Sequence, residues 1–122
     1  MEMTDRKAAE SRLNSDRVRT LSQIAGLERE FDSIVASAAD GSAGGDDEHD
    51  PEGAGVAFER QHVAALLDQA RARLGAIETA RRKVDRGTYE ICDLCGSPIG
   101  ADRLAARPAA LTCIRCAAKH HR

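Results

Sequence analysis

The 122-residue sequence is poor in aromatic residues, with no Trp, one Tyr and two Phe, about 2% of the chain. Large rings supply much of the buried area of a thick core, so one broad globule is not expected. No run of about 18 apolar residues is present, which excludes a membrane-spanning helix. The opening residues Met1-Glu2-Met3-Thr4-Asp5-Arg6 are polar and have no apolar signal core. A cytoplasmic chain is therefore expected, where thiols stay reduced and four cysteines point to metal rather than disulfides. The net charge of -2 gives no global field that would draw nucleic acid or a membrane surface.

What the chain does have is charge, at 31%, and small or aliphatic apolar residues, mostly Ala, Leu, Val and Ile. That mixture suits thin, two-layer helix packing fixed by a metal or a partner. From about Thr4 to Ala39 there is no Pro, and apolar residues recur at Leu13, Val18, Leu21, Ile24, Leu27, Phe31, Ile34, Val35 and Ala38. Steps of three and four predict a helix with one buried stripe, with Thr4 and Asp5 as caps. A Gly-, Asp- and Pro-rich stretch over 40–55 reads as a long loop, with Asp46, Asp47, Glu48, Asp50 and Glu52 as its acids. From about Val56 to Arg86, Val63, Leu67, Ala70, Leu74, Ile77 and Val84 alternate by four and three, with Arg81 the one polar break. Charged residues such as Glu59, Arg60, Asp68, Glu78, Arg82 and Lys83 are assigned to the surface of that helix, and Gly87 to its end. Neither striped helix is stable alone, so the two are expected to pair antiparallel, as a coiled coil over residues 1–87.

Residues 88–122 are turn-rich and too few to fold by apolar burial alone, and metal binding would supply the missing free energy. Cys92-Asp93-Leu94-Cys95-Gly96 and Cys113-Ile114-Arg115-Cys116 are two Cys-x-x-Cys knuckles. Two intervening residues let the backbone turn so that both sulfurs meet one ion, and Gly96 allows the tight turn that follows. Cys92, Cys95, Cys113 and Cys116 then complete a closed tetrahedral thiolate shell, the preferred structural site of Zn²⁺. One structural Zn²⁺ is expected, with no coordination position left for a reactive water. A redox dithiol and an iron–sulfur cluster are the weaker readings of the same cysteines. His120 and His121 follow the last knuckle and are read as exposed; His49 and His62 stand in no catalytic spacing. No phosphate loop and no Ser/His/Asp set occurs, so no enzyme is expected.

The run Gly87-Thr88-Tyr89-Glu90-Ile91-Cys92-Asp93-Leu94-Cys95-Gly96-Ser97-Pro98-Ile99-Gly100, then Arg103-Leu104-Ala105-Ala106-Arg107-Pro108 and Cys113-Ile114-Arg115-Cys116, closely resembles the DksA/TraR family. The resemblance implies a mainly α protein, a long helical hairpin with a four-cysteine zinc-finger module. It also implies a transcription regulator that binds bacterial RNA polymerase directly and passes its hairpin into the secondary channel. Acids at the hairpin tip would approach the polymerase active site. Family tips often read Asp-x-x-Asp-x-Ala; here Asp50 is the shared member of two alignments, with Asp47 and Glu52 as the other candidates. Arg103 and Arg107 match basic positions that some members use toward polymerase and the alarmone ppGpp, or they brace the zinc fold. Ala76 and Ala117 depart from the family's other basic positions and weigh against ppGpp.

The resemblance implies no sequence-specific DNA contact, and a monomer is expected. Two other readings remain open. One is a zinc-ribbon adaptor with a non-polymerase protein partner. The other is nucleic-acid binding through the basic segment Arg103, Arg107, Arg115, Lys119 and Arg122, although no aromatic platform accompanies it.

Overall fold

The computed structural model describes residues 3–42 and 51–120, and for residues 39–42 and 51–53 the backbone alone. Four helices follow one another: α1 (Met3–Ser42), α2 (Pro51–Arg86), α3 (Ala101–Ala106) and α4 (Ile114–His120). Among the described residues the only extended pairing is one antiparallel bridge between Ile91 and Pro98. The fold is mainly α, a long antiparallel helical pair with a small four-cysteine module. No described helix is long and apolar enough to cross a membrane.

The chain divides into two compact units, Met1–Thr20 with Ala72–Arg122, and Leu21–Arg71. In the first, Arg6 pairs with Asp85 at 3.4 Å and Arg17 with Glu78 at 2.7 Å, so numbers rise on α1 as they fall on α2. Its buried cluster joins Ala9 and Leu13 of α1, Ile77, Ala80 and Val84 of α2, and Tyr89, Cys92, Ile99, Leu104 and Cys113 beyond them. Helix pair and cysteine module thus share one core. In the second unit Ile34, Val63, Leu67 and Ala70 are buried, and Arg71 lies 3.4 Å from Glu28.

The buried stripe of α1 differs from the expected one. Val18, Leu21 and Val35 are exposed, at 61%, 37% and 40%, while Thr20 is buried at 2% and Arg17 is half-buried. The inward line runs Ala9, Leu13, Arg17, Thr20, Ile24, Leu27, Phe31, Ile34 and Ala38, steps of four and three that admit two polar residues. Arg17 is tolerated there because Glu78 accepts its Nε. On α2, Ala80 and Arg81 flank the Ile77–Val84 line on opposite sides, each by about 50°. Ala80 turns inward and Arg81 stays at the surface.

The ends of α2 also have identifiable causes. It begins at Pro51, five residues ahead of the expected Val56. A proline in the first turn lacks only an N–H that would find no helical partner, and its fixed φ suits the helix. At the other end Gly87 takes φ 77, a conformation L side chains rarely adopt. Its N–H bonds the Val84 carbonyl and the Thr88 N–H bonds the Lys83 carbonyl, closing the last turn with a paired cap. The chain is thereby aimed directly into the first cysteine knuckle.

Candidate metal centre

The first knuckle is a short hairpin. Cys92 N–H donates to the Ser97 carbonyl at 2.8 Å, Gly96 N–H to the Cys92 carbonyl at 3.0 Å, and Ile99 N–H to the Glu90 carbonyl at 2.8 Å. Gly96, with φ 74, makes the turn after Cys95. Asp93 N–H reaches the Leu111 carbonyl at 2.9 Å and so ties this hairpin to the segment entering the second knuckle. That second knuckle opens α4, where Ala117 N–H donates to the Cys113 carbonyl.

The four cysteine sulfurs come together, all within 4.8 Å of one another. Cys95 and Cys113 Sγ stand 3.8 Å apart, far beyond a bonded S–S of about 2.05 Å. Zn–S bonds of about 2.3 Å place tetrahedral sulfurs about 3.8 Å apart, so this pair is spaced as an edge of a zinc tetrahedron. Cys92 and Cys113 are buried, Cys116 is half-buried and Cys95 is exposed. The set fits a metal ion in number, donor type and spacing. It would supply structural cross-linking, not reactivity, because thiolates fill the shell.

Charge in the cluster is prepared by the backbone. Burial opposes ionisation of Cys92, but hydrogen bonds from the backbone at Cys113, Cys95 and Leu94 outweigh it and bring its pKa down to about 6. Backbone and side chain of Ser97 lower that of Cys95. Hydrogen bonds to Cys113 and Cys95 push Cys116 up to about 12, so it favours its thiol form in the metal-free cluster.

Residues outside the cysteines complete the site. Tyr89 is 3% exposed and its hydroxyl donates to the Pro108 carbonyl at 2.7 Å. Lys83, expected at the surface, is instead 6% exposed. Its Nζ donates to the Ile91 carbonyl at 2.7 Å and lies 2.8 Å from Asp93 Oδ1. Sequence reasoning missed it because the run Arg81-Arg82-Lys83 reads as solvated charge. The signal available was its place one turn before Gly87, facing the knuckle that follows.

Arg103 and Arg107 both line an open groove of about 720 Å³ within the first unit, together with Arg12, Arg19, Arg73 and Asp16. Ala76 and Pro108 are also in its wall. Arg103 Nε donates to the Thr112 carbonyl at 2.9 Å, while Arg107 is exposed and its backbone N–H closes α3 on the Arg103 carbonyl. His62 and His120 are exposed and belong to no metal-ligand cluster among the described residues. Asp47 and Asp50 lie outside the described residues; Glu52 falls in the first turn of α2, its side chain outside them.

A closed four-cysteine centre, built on two knuckles and carried by a helical pair, defines a C4-type zinc-finger protein. Residues 87–122 match the model of the prokaryotic dksA/traR C4-type zinc finger. The RNA polymerase-binding transcription factor DksA of Caulobacter vibrioides is 38% identical over 55 residues, 45% of this chain and 39% of that protein. Its namesake in Haemophilus influenzae is 43% identical over 49 residues, 40% of this chain and 34% of that protein. The matches thus span well under half the length of these curated relatives. The structure of transcription factor DksA2 from Pseudomonas aeruginosa has the same fold, with a TM-score of 0.74 over 99% of this chain and 86% of that one, at 24% identity. Residues 87–122 thus form a dksA/traR C4-type zinc finger, and the chain is similar to DksA-named proteins in sequence over less than half its length and in fold over 99% of it.

Proposed function

We propose that this protein is a transcription regulator that binds bacterial RNA polymerase directly and passes its helical pair into the secondary channel to modulate initiation. The observation that carries this reading is one buried cluster running from α1 and α2 into the four-cysteine module. Such a join makes the paired stretches 3–20 and 72–86 one body with the module rather than a tethered arm. The working division is residues 1–87 as the inserted coiled coil and 88–122 as the module seated on the enzyme. Cys92, Cys95, Cys113 and Cys116 hold the structural zinc. Asp47, Asp50 and Glu52 are the acids offered toward the polymerase active site.

The groove with Arg103 and Arg107 in its wall is the surface offered to polymerase, its guanidinium groups suited to a carboxylate or phosphate partner. Ala76 stands in that wall and offers no charge, which leaves fewer contacts for ppGpp. The protein works in the cytoplasm as a monomer, without enzymatic activity or sequence-specific DNA contact of its own. The test is co-purification with nuclease-treated core polymerase and crosslinking from the segment between α1 and α2. Micromolar binding and crosslinks inside the secondary channel support the reading. Absence of binding favours the adaptor with another protein partner.

A further inference from the structure

Two cationic side chains stand in the same relation to the two knuckles. Lys83 lies in the last turn of α2, and its backbone carbonyl accepts the N–H of Thr88 as the chain leaves that helix. Its side chain reaches forward to the Ile91 carbonyl, the residue just before Cys92, and pairs with Asp93, the residue just after. Arg103 lies in the last turn of α3, and its carbonyl accepts the N–H of Arg107 as the chain leaves that helix. Its side chain reaches forward to the Thr112 carbonyl, the residue just before Cys113.

The recurrence has a physical reason. The Ile91 and Thr112 carbonyls stand at the entries of the two knuckles, and each takes a hydrogen bond from one of these side chains. Burying such a carbonyl without a donor costs about 1–3 kcal/mol. The cysteines that follow the two gripped carbonyls, Cys92 and Cys113, are also the two buried members of the set. A charged donor makes a stronger hydrogen bond than a neutral one and fixes the peptide it grips.

We propose that Lys83 and Arg103 are equivalent positioning residues of the metal centre, each setting the backbone of one knuckle so that its buried cysteine is presented to the ion. On this assignment the Nε of Arg103 belongs to the zinc fold, leaving only its terminal nitrogens for the groove. Lys83 also makes the last turn of α2 and the first knuckle a single mechanical piece.

The test uses the full-length, zinc-loaded protein and follows release to excess chelator with a chromogenic indicator. The variants are Lys83→Met, Arg103→Met, Lys83→Arg and Arg103→Lys. Arg17→Met serves as a control that weakens the same unit away from the knuckles. Loss of groups that orient metal ligands typically costs about 10–100-fold in affinity. Each methionine variant is therefore expected to bind one zinc yet release it at least about tenfold faster, with most of the retention restored by Lys83→Arg and Arg103→Lys. The cobalt-substituted methionine variants should show weakened thiolate-to-cobalt charge-transfer bands. If a methionine variant does not fold, Lys83→Gln or Arg103→Gln, which keeps a neutral donor, carries the test: faster zinc release than in both the parent and Arg17→Met supports the assignment, and parent-like release overturns it. Unchanged release, or equal acceleration in Arg17→Met and no rescue by the conservative variants, overturns the assignment.

Discussion

The hydroxyl of Tyr89 donates to the carbonyl of Pro108 across 2.7 Å, and this bond fastens the segment leaving α2 to the loop that follows α3. Burial raises the Tyr89 pKa, and nearby Arg12 only partly opposes that, so the group remains a neutral donor at physiological pH. Tyr89→Phe keeps the ring in the core and removes the donor, leaving the Pro108 carbonyl unpaired. The expected loss is about 1–2 kcal/mol. In urea unfolding of the zinc-loaded protein it should appear as a lower midpoint with an unchanged slope. An unchanged midpoint would show that water replaces the hydroxyl without cost.

Arg17 and Glu78 form the cross-helix pair that lets α1 keep a charged residue on its inward line. The hydrogen bond from Arg17 lowers the Glu78 pKa below its ordinary 4.5, more than partial burial raises it. A carboxylate with a depressed native pKa stabilises the fold above its unfolded pKa, and that contribution fades as pH falls through the native value. Glu78→Gln should therefore melt below the parent at pH 7, with the two curves converging as the pH falls through the lowered native pKa of Glu78. Both side chains are more than a third exposed, so the difference should be small and should shrink in high salt. A gap that persists at low pH would assign the loss to packing instead.

The parts legible in the sequence were those set by short-range chemistry. Two Cys-x-x-Cys pairs with Gly96 announced the metal centre, and Gly87 announced the end of α2, because spacing and a positive φ are local requirements. Periodicity gave both long helices and most of α2's seam. It failed at Val18 and Leu21, since hydrophobicity alone ranks Val above Arg, whereas the packed helix places Arg17 inward with a partner from α2. Lys83 was hidden for the same reason. A buried lysine is recognised only by what it meets, and Ile91 and Asp93 meet it through the turn at Gly87. The short helices α3 and α4 carry too few residues for a periodic signal; α3 has six and α4 seven.

Metal removal should be felt in the helices as well as in the module. Cys92 and Cys113 belong to the cluster that holds Leu13, Ile77 and Val84, so releasing the ion frees part of that core. Stripping zinc should raise amide hydrogen exchange across 88–120 and in the paired stretches 3–20 and 72–86. Exchange in 21–71, which contributes no residue to that cluster, should rise less. Binding must also displace the proton that Cys116 holds, since its pKa stands at about 12 in the metal-free set. Apparent zinc affinity should consequently increase from pH 6 to pH 8, with proton release visible by calorimetry in buffers of different ionisation enthalpy. Unchanged exchange in 3–20 and 72–86 after chelation would mean that the core does not depend on the ion.

The sequence between α1 and α2 concentrates acids, and the proposed function gives them a task distinct from docking. Replacing Asp47, Asp50 and Glu52 together by Asn, Asn and Gln removes three negative charges and keeps side-chain size. If these carboxylates act on the polymerase active site, the variant should bind core polymerase within about threefold of the parent, less than 1 kcal/mol. Its effect on initiation should nevertheless be lost, because on this reading the charges act through short-range fields rather than through the docking contact. Arg107→Ala should do the opposite: removing a guanidinium from the groove should weaken docking while leaving the regulatory effect intact at saturating protein. Fluorescence anisotropy with labelled protein, run beside abortive initiation assays, separates the two quantities. Equal loss of binding and regulation in the acid variant would place those residues in the docking surface, and full activity would remove them from the mechanism.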